Sequence, residues 1–440
     1  MPAGRTSTPS LERAALVGVV TGLSQRDDAE TSLVELAGLA DAAGASVVFT
    51  TLQERRSPDP ATFIGKGKVE SLALRCTAED VDLVIVDNEL TPSQLRHLTD
   101  GLGRRVVDRT QLILDIFARR ARTREGKRQV ELAQLKYMLP RLAGSSEALS
   151  RLGGGIGTRG PGETKLETDR RRIRTRIETL QAEIDQVRQR RSQMRDRRHK
   201  ELVPTVALVG YTNAGKTTLF NRLAREHAVA SDALFVTLDP LTRRVRLSNG
   251  GEFLLSDTVG FIDRLPHALV AAFRATLEEV ADADLLLHVI DATSAERDRQ
   301  MAAVGRVLGE VGAQDLEILD VFNKVDRLQA ADARRLSRHT DHCVVVSAKT
   351  GTGVEGLLRR VALALGLDTQ RITLSFDPSD ESDRALMGQV YRVGRVVSHE
   401  TTGGRAVIEA EVPRRLKQRL VSQARTARPT RTARPAARAR

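Results

Sequence analysis

Eight consecutive residues, Gly210-Tyr211-Thr212-Asn213-Ala214-Gly215-Lys216-Thr217, fit the pattern G-x-x-x-x-G-K-[ST] at every fixed position. A glycine turn, a lysine and a hydroxyl at this spacing suit a polyphosphate. Backbone N–H groups and a helix N-terminus converge on the anion, Lys216 and the neighbouring Thr218 sit where the helix starts, and the Thr217 hydroxyl is placed to ligate Mg²⁺. The flanks agree: Val206 to Val209 is an apolar run that reads as a strand leading in, and Thr218 to Leu223 reads as a helix leading out. A glycine-rich turn that holds nothing would account for neither Lys216 nor these flanks.

The phosphate loop predicts a nucleotide but not its base. Asn323-Lys324-Val325-Asp326 follows the apolar run Leu316 to Phe322, and N-K-x-D is a guanine-reading pattern. The Asp326 carboxylate can accept hydrogen bonds from guanine N1–H and the exocyclic amine, donors that adenine does not present together. Asn323 is expected to tie this loop to the phosphate loop, the Lys324 stem to cover the ring, and Ser347-Ala348-Lys349 to form a second guanine loop.

Asp257-Thr258-Val259-Gly260 is a D-x-x-G element. Asp257 is expected to hold Mg²⁺ through water and the Gly260 N–H to sense a γ-phosphate. Phe235-Val236-Thr237-Leu238-Asp239-Pro240 reads as the first switch, with Thr237 as second Mg²⁺ ligand and Thr242 as runner-up; either could be only a turn residue. Lys216, Thr237 and Gly260 are the expected catalytic positions. Where many GTPases carry a water-orienting Gln, position 261 is Phe, so slow intrinsic hydrolysis completed by a partner or ion is expected. Asn213 marks a K⁺ site as one candidate for that ion.

These residues need elements to hold them. Apolar strands at Ala14 to Val20, Ser46 to Leu52, Val81 to Val86 and Arg104 to Val107 alternate with helical patterns, predicting a parallel α/β domain over residues 11–108. Ile64-Gly65-Lys66-Gly67-Lys68 opens the second helix there, as an ordinary turn or as an anion site. A basic helical hairpin is expected over 109–200. Its arms run from Gln111 to Leu142 and from Glu163 to Lys200, around a glycine-rich loop at 144–162. Leu166, Ile173, Ile177, Leu180, Ile184, Val187 and Met194 repeat at 3-and-4 spacing, and Leu132, Leu135, Met138, Leu139 and Leu142 are their expected partners. The nucleotide domain spans 203–366. A small module follows at 367–420, with strand-like Ile372 to Phe376, Val390 to Val397 and Ala406 to Val412, then an Arg-rich tail at 421–440 that should be disordered. The fold class is therefore α/β and multidomain.

The net charge is +12 over 440 residues. Arg170, Arg171, Arg172, Arg174, Arg176, Arg188, Arg190, Arg191, Arg195, Arg197, Arg198 and Lys200 crowd the outer face of the second arm, as either a solvated coiled-coil face or an RNA-facing one. With no Trp and three Tyr, contact with RNA would run through phosphates rather than stacked bases. Cys76 and Cys343 are the only cysteines, which excludes a disulfide framework and suits a reducing cytosol. No apolar run reaches membrane-spanning length, so a cytoplasmic protein is expected; the expectation of a monomer is separate and rests on no motif.

On these residues the chain resembles the HflX-type GTPases of the Obg–HflX group. The likeness rests on Ile64 to Glu70, Arg159 to Glu167, Gly210 to Thr217, Phe235 to Pro240, Asp257 to Ile262 and Phe273 to Glu278. It implies binding to the large ribosomal subunit, hydrolysis stimulated by that subunit, and splitting or rescue of idle or stalled ribosomes. It also implies that the glycine loop and hairpin face ribosomal RNA near the peptidyl transferase region, and that an apolar residue at 261 is usual. A GTP-regulated RNA-binding or remodelling protein of ribosome assembly is the alternative; a signalling GTPase that binds an acidic protein is a weaker one.

Overall fold

The computed structural model describes residues 11–21, 26–142, 161–201, 203–226, 234–235, 237–263, 279–329, 331–332, 336 and 343–424. Strands β1 (Glu12–Val20), β2 (Ala45–Glu54), β3 (Leu83–Val86) and β4 (Arg105–Asp108) form a parallel sheet in the order β2-β1-β3-β4. Both faces are covered, as near-continuous apolar strands require. Ala14 and Leu16 of β1 pack toward α1 (Arg26–Ala42), while Ala15 and Val17 pack toward α2 (Lys66–Ala78) and α3 (Pro92–Leu102). Thr91 and Gln94 close a reciprocal capping box at the start of α3. Ile64 to Lys68 forms the turn into α2, where the Ile64 carbonyl accepts from Arg55 at 3.0 Å.

The first arm expected from Gln111 to Leu142 is two helices, α4 (Arg109–Arg120) and α5 (Arg124–Leu142). The apolar stripe of α4 belongs to the N-terminal sheet: Leu112, Ile113, Ile116 and Phe117 are buried with Leu36 and Leu39 of α1. Helix α5 is two-sided. Val130, Ala133 and Tyr137 join that same core, and Leu132 and Leu135 meet Ile177, Leu180 and Ile184 of α6 (Pro161–Glu201).

Arg128 pairs with Glu183 at 2.7 Å and Glu131 with Arg176 at 2.7 Å, so rising numbers on α5 meet falling numbers on α6 and the pair is antiparallel. Met138, expected in the seam, is 47% exposed because Tyr137 takes the inward position. Side chains of α6 are described for 167–187, 189 and 190, so Leu166 and Met194 lie outside them, as do Arg188, Arg191, Arg195, Arg197, Arg198 and Lys200. The glycine-rich stretch up to residue 160, and Phe273 to Glu278, also lie outside the described residues.

The third unit contains β5 (Thr205–Val209), α7 (Lys216–Ala224), β6 (Leu241–Arg246), β7 (Glu252–Asp257), β8 (Leu285–Asp291), α8 (Arg297–Glu310), β9 (Ile318–Asn323), β10 (Cys343–Val345) and α9 (Val354–Ala364). Its sheet runs β10-β9-β8-β5-β7-β6, parallel except for β6. The phosphate loop, the D-x-x-G element and the N-K-x-D loop leave the carboxyl ends of β5, β7 and β9, so parallel pairing brings them to one edge.

Beyond it, β11 (Thr369–Phe376), α10 (Glu381–Val393), β12 (Arg395–Thr402), β13 (Arg405–Pro413) and α11 (Arg414–Gln423) form an antiparallel sheet, ordered β11-β13-β12, backed by two helices. The strand expected from Val390 to Val397 starts only at Arg395. Val390 lies on α10, which Asp380 caps and which buries Leu386 and Val390 one turn apart. Residues 425–440 lie outside the described residues. Among the described residues no helix is long and apolar enough to cross a membrane.

Candidate functional site

The phosphate loop joins β5 to α7 through two backbone positions that need glycine. Gly210 has φ 149° and a Cβ there would collide with the Val289 carbonyl; Gly215 has φ 93° and a Cβ would collide with the Asn323 amide. Lys216 is buried, and its Nζ donates to the carbonyls of Gly210 at 3.0 Å and Tyr211 at 2.8 Å. Burial lowers its pKa to about 8; the Asp257 carboxylate opposes that shift and the Lys324 charge adds to it. A bound polyanion would reverse it. Ala214 is buried, Thr218 is half-buried in the first turn of α7, and Asn213 is exposed in a left-handed turn at φ 59°.

Three oxygens gather at the start of α7. The Thr217 and Thr237 hydroxyls lie 2.7 Å apart, and both donate to Asp257 Oδ2, at 2.8 and 3.0 Å. Asp257 is fully buried, and burial raises its pKa despite Lys216 and the two hydroxyls. Its Oδ1 has no hydrogen bond among the described residues. A buried carboxylate with a spare oxygen beside two hydroxyls fits a small hard cation such as Mg²⁺. Thr242 is elsewhere, its hydroxyl 2.9 Å from that of Ser256 between β6 and β7.

The D-x-x-G element folds back on the phosphate loop. Thr258 donates to the Leu208 carbonyl at 2.6 Å, and Gly260 abuts Lys216 and Thr212. The Thr212 N–H donates to the Phe261 carbonyl at 2.7 Å and the Phe261 N–H to the Gly210 carbonyl at 3.1 Å. The Phe261 ring is fully buried among Val209, Val280 and Leu286, pointing into the core rather than toward the loop.

The guanine loops are braced on the phosphate loop by one side chain. Asn323 Nδ2 donates to the Ala214 carbonyl at 2.9 Å and its Oδ1 accepts the Ala348 N–H at 2.9 Å. Ser347 donates to Asp326 at 2.6 Å and accepts the Thr350 N–H at 3.1 Å. The Val325 N–H reaches the Val346 carbonyl, and the Lys349 carbonyl accepts from Arg222. Lys324 Nζ pairs with Asp291 at 2.7 Å; burial works against that carboxylate, but bonds from Lys324 and Thr293 hold its pKa below the ordinary value.

The first switch is divided. Among its described residues, Thr237 alone turns to the loop. Phe235 and Leu238 are buried in the N-terminal core, with the Phe235 ring edge-on to Phe117 at 4.7 Å, and Val259 and Ile262 of the second switch join them. Asp239, expected beside the nucleotide, is spent on the start of α5, where it accepts the N–H groups of Arg122 and Thr123 at 2.8 Å each. A carboxylate is stabilised near a helix N-terminus, where backbone N–H groups need acceptors. Val236 lies outside the described residues.

Comparison with known proteins matches the chain to three family descriptions. The family described as "GTP-binding GTPase N-terminal" matches residues 30–118, "GTP-binding GTPase Middle Region" matches 120–198, and "50S ribosome-binding GTPase" matches 205–324. GTPase HflX of Caldanaerobacter subterraneus subsp. tengcongensis is 46% identical over 409 residues, covering 93% of each chain. The chain belongs to the HflX family of GTPases. GTPase HflX of Lacrimispora saccharolytica is 51% identical, covering 79% of this chain and 81% of its own; that of Escherichia coli is 44% identical, covering 87% and 89%. HflX membership makes the chain an enzyme that hydrolyses GTP.

The sequence reading missed one part of this HflX site, a polar bridge to the N-terminal sheet. Tyr211 donates its hydroxyl to Glu35 of α1 and accepts the Asp263 N–H at 2.7 Å. Glu35 also pairs with Arg109, whose other nitrogen bonds Asp87 at 2.8 Å. A cavity of about 300 Å³ lies alongside, lined by Glu35, Tyr211, Asn213, Asp263 and Arg299. The available signal was Arg109, a charge set beside an otherwise apolar stripe and therefore in need of a buried partner.

Proposed function

We propose that this HflX GTPase is a ribosome-associated switch that docks on the large ribosomal subunit through its basic hairpin. GTP binding and hydrolysis would then split or rescue idle or stalled ribosomes. Lys216 and the N–H groups of the loop from Gly210 to Thr217 hold the phosphates, and Asp326 with Ser347 to Lys349 reads guanine. Thr217 and Thr237 would hold Mg²⁺ directly and Asp257 through water, and the ion would supply charge neutralisation to the bound phosphates. The Gly260 N–H senses the γ-phosphate. With Phe261 buried in the core, the water-orienting group comes from a partner or from K⁺ beside the exposed Asn213.

The observation that carries this reading is that α5 serves both halves of the molecule. It packs against the first switch on one side and against the arginine-bearing α6 on the other. On α6, Arg171, Arg172 and Arg174 are exposed, a face suited to a phosphate backbone, while Arg176 braces the hairpin through Glu131. Such a face reads charge and shape rather than base sequence, which also favours the second reading, a GTP-regulated RNA-binding factor of ribosome assembly. Co-sedimentation with large subunits, GTPase rate with and without them, and light scattering of intact ribosomes separate the two. GTP-dependent binding, a raised rate and a fall in scattering are expected. Binding and stimulation without splitting would favour the assembly reading, and neither would end both.

A further inference from the structure

We propose that Asp239 is a positioning residue for the Mg²⁺ end of the GTPase site, acting by tying the first switch to the N-terminus of the hairpin helix α5. The proposal rests on the reading of Thr237 as a Mg²⁺ ligand. Helix α5 is capped by the hydroxyl of Thr123, and that capping residue is itself held by a carboxylate more than a hundred positions away. Asp239 Oδ2 accepts the N–H groups of Arg122 and Thr123, each at 2.8 Å, and Oδ1 accepts the Thr123 hydroxyl. The same hydroxyl accepts the Gly126 N–H at 2.9 Å, so the residue that caps α5 is held by the switch carboxylate. Gly126 leaves room for it, because a Cβ at that position would overlap Asp239 Oδ1.

Thr237, two residues before Asp239, touches Thr217 and Asp257, and Leu238 between them is 3% exposed in a core shared with Phe117 and Val130. The switch backbone is therefore pinned immediately beyond the ligand. If Thr237 leaves its place, either the Asp239 bonds break or the start of α5 follows. The opposite face of α5 is keyed into α6 by Leu132, Leu180 and Ile184 and by two cross-helix ion pairs, so a shift of α5 passes to the basic face. Conversely, a hairpin held on a charged surface fixes where Thr237 sits.

The test uses the full chain with Asp239→Ala, Asp239→Asn, Gly126→Ala, the double variant Asp239→Ala/Gly126→Ala, and Thr237→Ala. One readout is the Mg²⁺ concentration needed for half-maximal retention of a fluorescent non-hydrolysable GTP analogue. The other is amide hydrogen exchange at residues 122–126. Asp239→Ala should raise the Mg²⁺ midpoint about two- to thirtyfold, the range a lost helix cap converts to, and speed exchange at Arg122 and Thr123. Asp239→Asn keeps an oxygen acceptor and should shift less.

Gly126→Ala, made on the helix side, should produce the same kind of shift and add little to Asp239→Ala. In the parent protein, exchange at 122–126 should slow when the Mg²⁺-loaded analogue replaces GDP. If Asp239→Ala does not fold, Asp239→Asn and Gly126→Ala read the same midpoint. A lower melting temperature with an unchanged Mg²⁺ midpoint, while Thr237→Ala raises it, overturns the proposal and leaves the site reading intact. Full additivity of the two substitutions also overturns it. An unchanged midpoint in Thr237→Ala overturns the site reading itself.

Discussion

Truncating Asn323 to Ala removes the side chain on which two loops of the candidate site are braced. Asn323 is 2% exposed and makes two bonds of 2.9 Å, one to the Ala214 carbonyl of the phosphate loop and one from the Ala348 N–H of the second guanine loop. Its loss leaves a donor and an acceptor without these partners in a dry place, at about 1–3 kcal/mol for each. The carbonyl retains a second lone pair and water can enter the vacated space, so a total of about 2–4 kcal/mol is expected. Urea unfolding should show this as a lower midpoint with an unchanged slope.

Because both freed loops are proposed nucleotide contacts, binding would have to re-order them, and fluorescent-GDP affinity should fall by about tenfold or more. Asn323→Asp is a stringent control. It keeps an acceptor for Ala348 but sets a carboxylate against the Ala214 carbonyl, so it should do no better than Ala. A GDP affinity within about threefold of the parent, together with an unmoved urea midpoint, would refute the bracing argument.

Asp326→Asn should move preference from GTP toward xanthosine nucleotides, because the Ser347 bond can persist on the amide oxygen while the second acceptor is lost; competition binding that still favours GTP would count against the guanine contact. The depressed pKa of Lys216, about 8 in the bare site, predicts linked protonation. Phosphates return the ammonium toward the ordinary lysine range, so GTP binding should take up close to one proton at about pH 9 and almost none at about pH 6.5, with affinity falling as pH rises through that window. Calorimetry in buffers of different ionisation enthalpy measures the uptake, and a heat independent of buffer at the higher pH would remove the assignment.

What the sequence by itself determined is local. Strand, glycine turn and helix follow one another from Thr205 to Ala224, and the alternation that builds the first sheet repeats every few tens of residues, so nearest-neighbour patterning is enough to read both. The Asn323 brace was readable too, since its motif carries its own geometry. Tertiary structure decided what depends on distant partners. The apolar stripe of α4 has a helical period whether it faces a hairpin partner or the N-terminal sheet, and only packing on Leu36 and Leu39 assigns it to the sheet. Thr237 and Thr242 are equivalent hydroxyls in sequence; the antiparallel pairing of β6 with β7 gives Thr242 to Ser256 and leaves Thr237 on Asp257. Asp239 reads as a nucleotide-side carboxylate until the N–H groups of Arg122 and Thr123, at the start of α5, are set beside it. A helix terminus and a buried charge each require a partner, but nothing in the chain's local pattern says which residue it will be, because that choice is made by the whole fold.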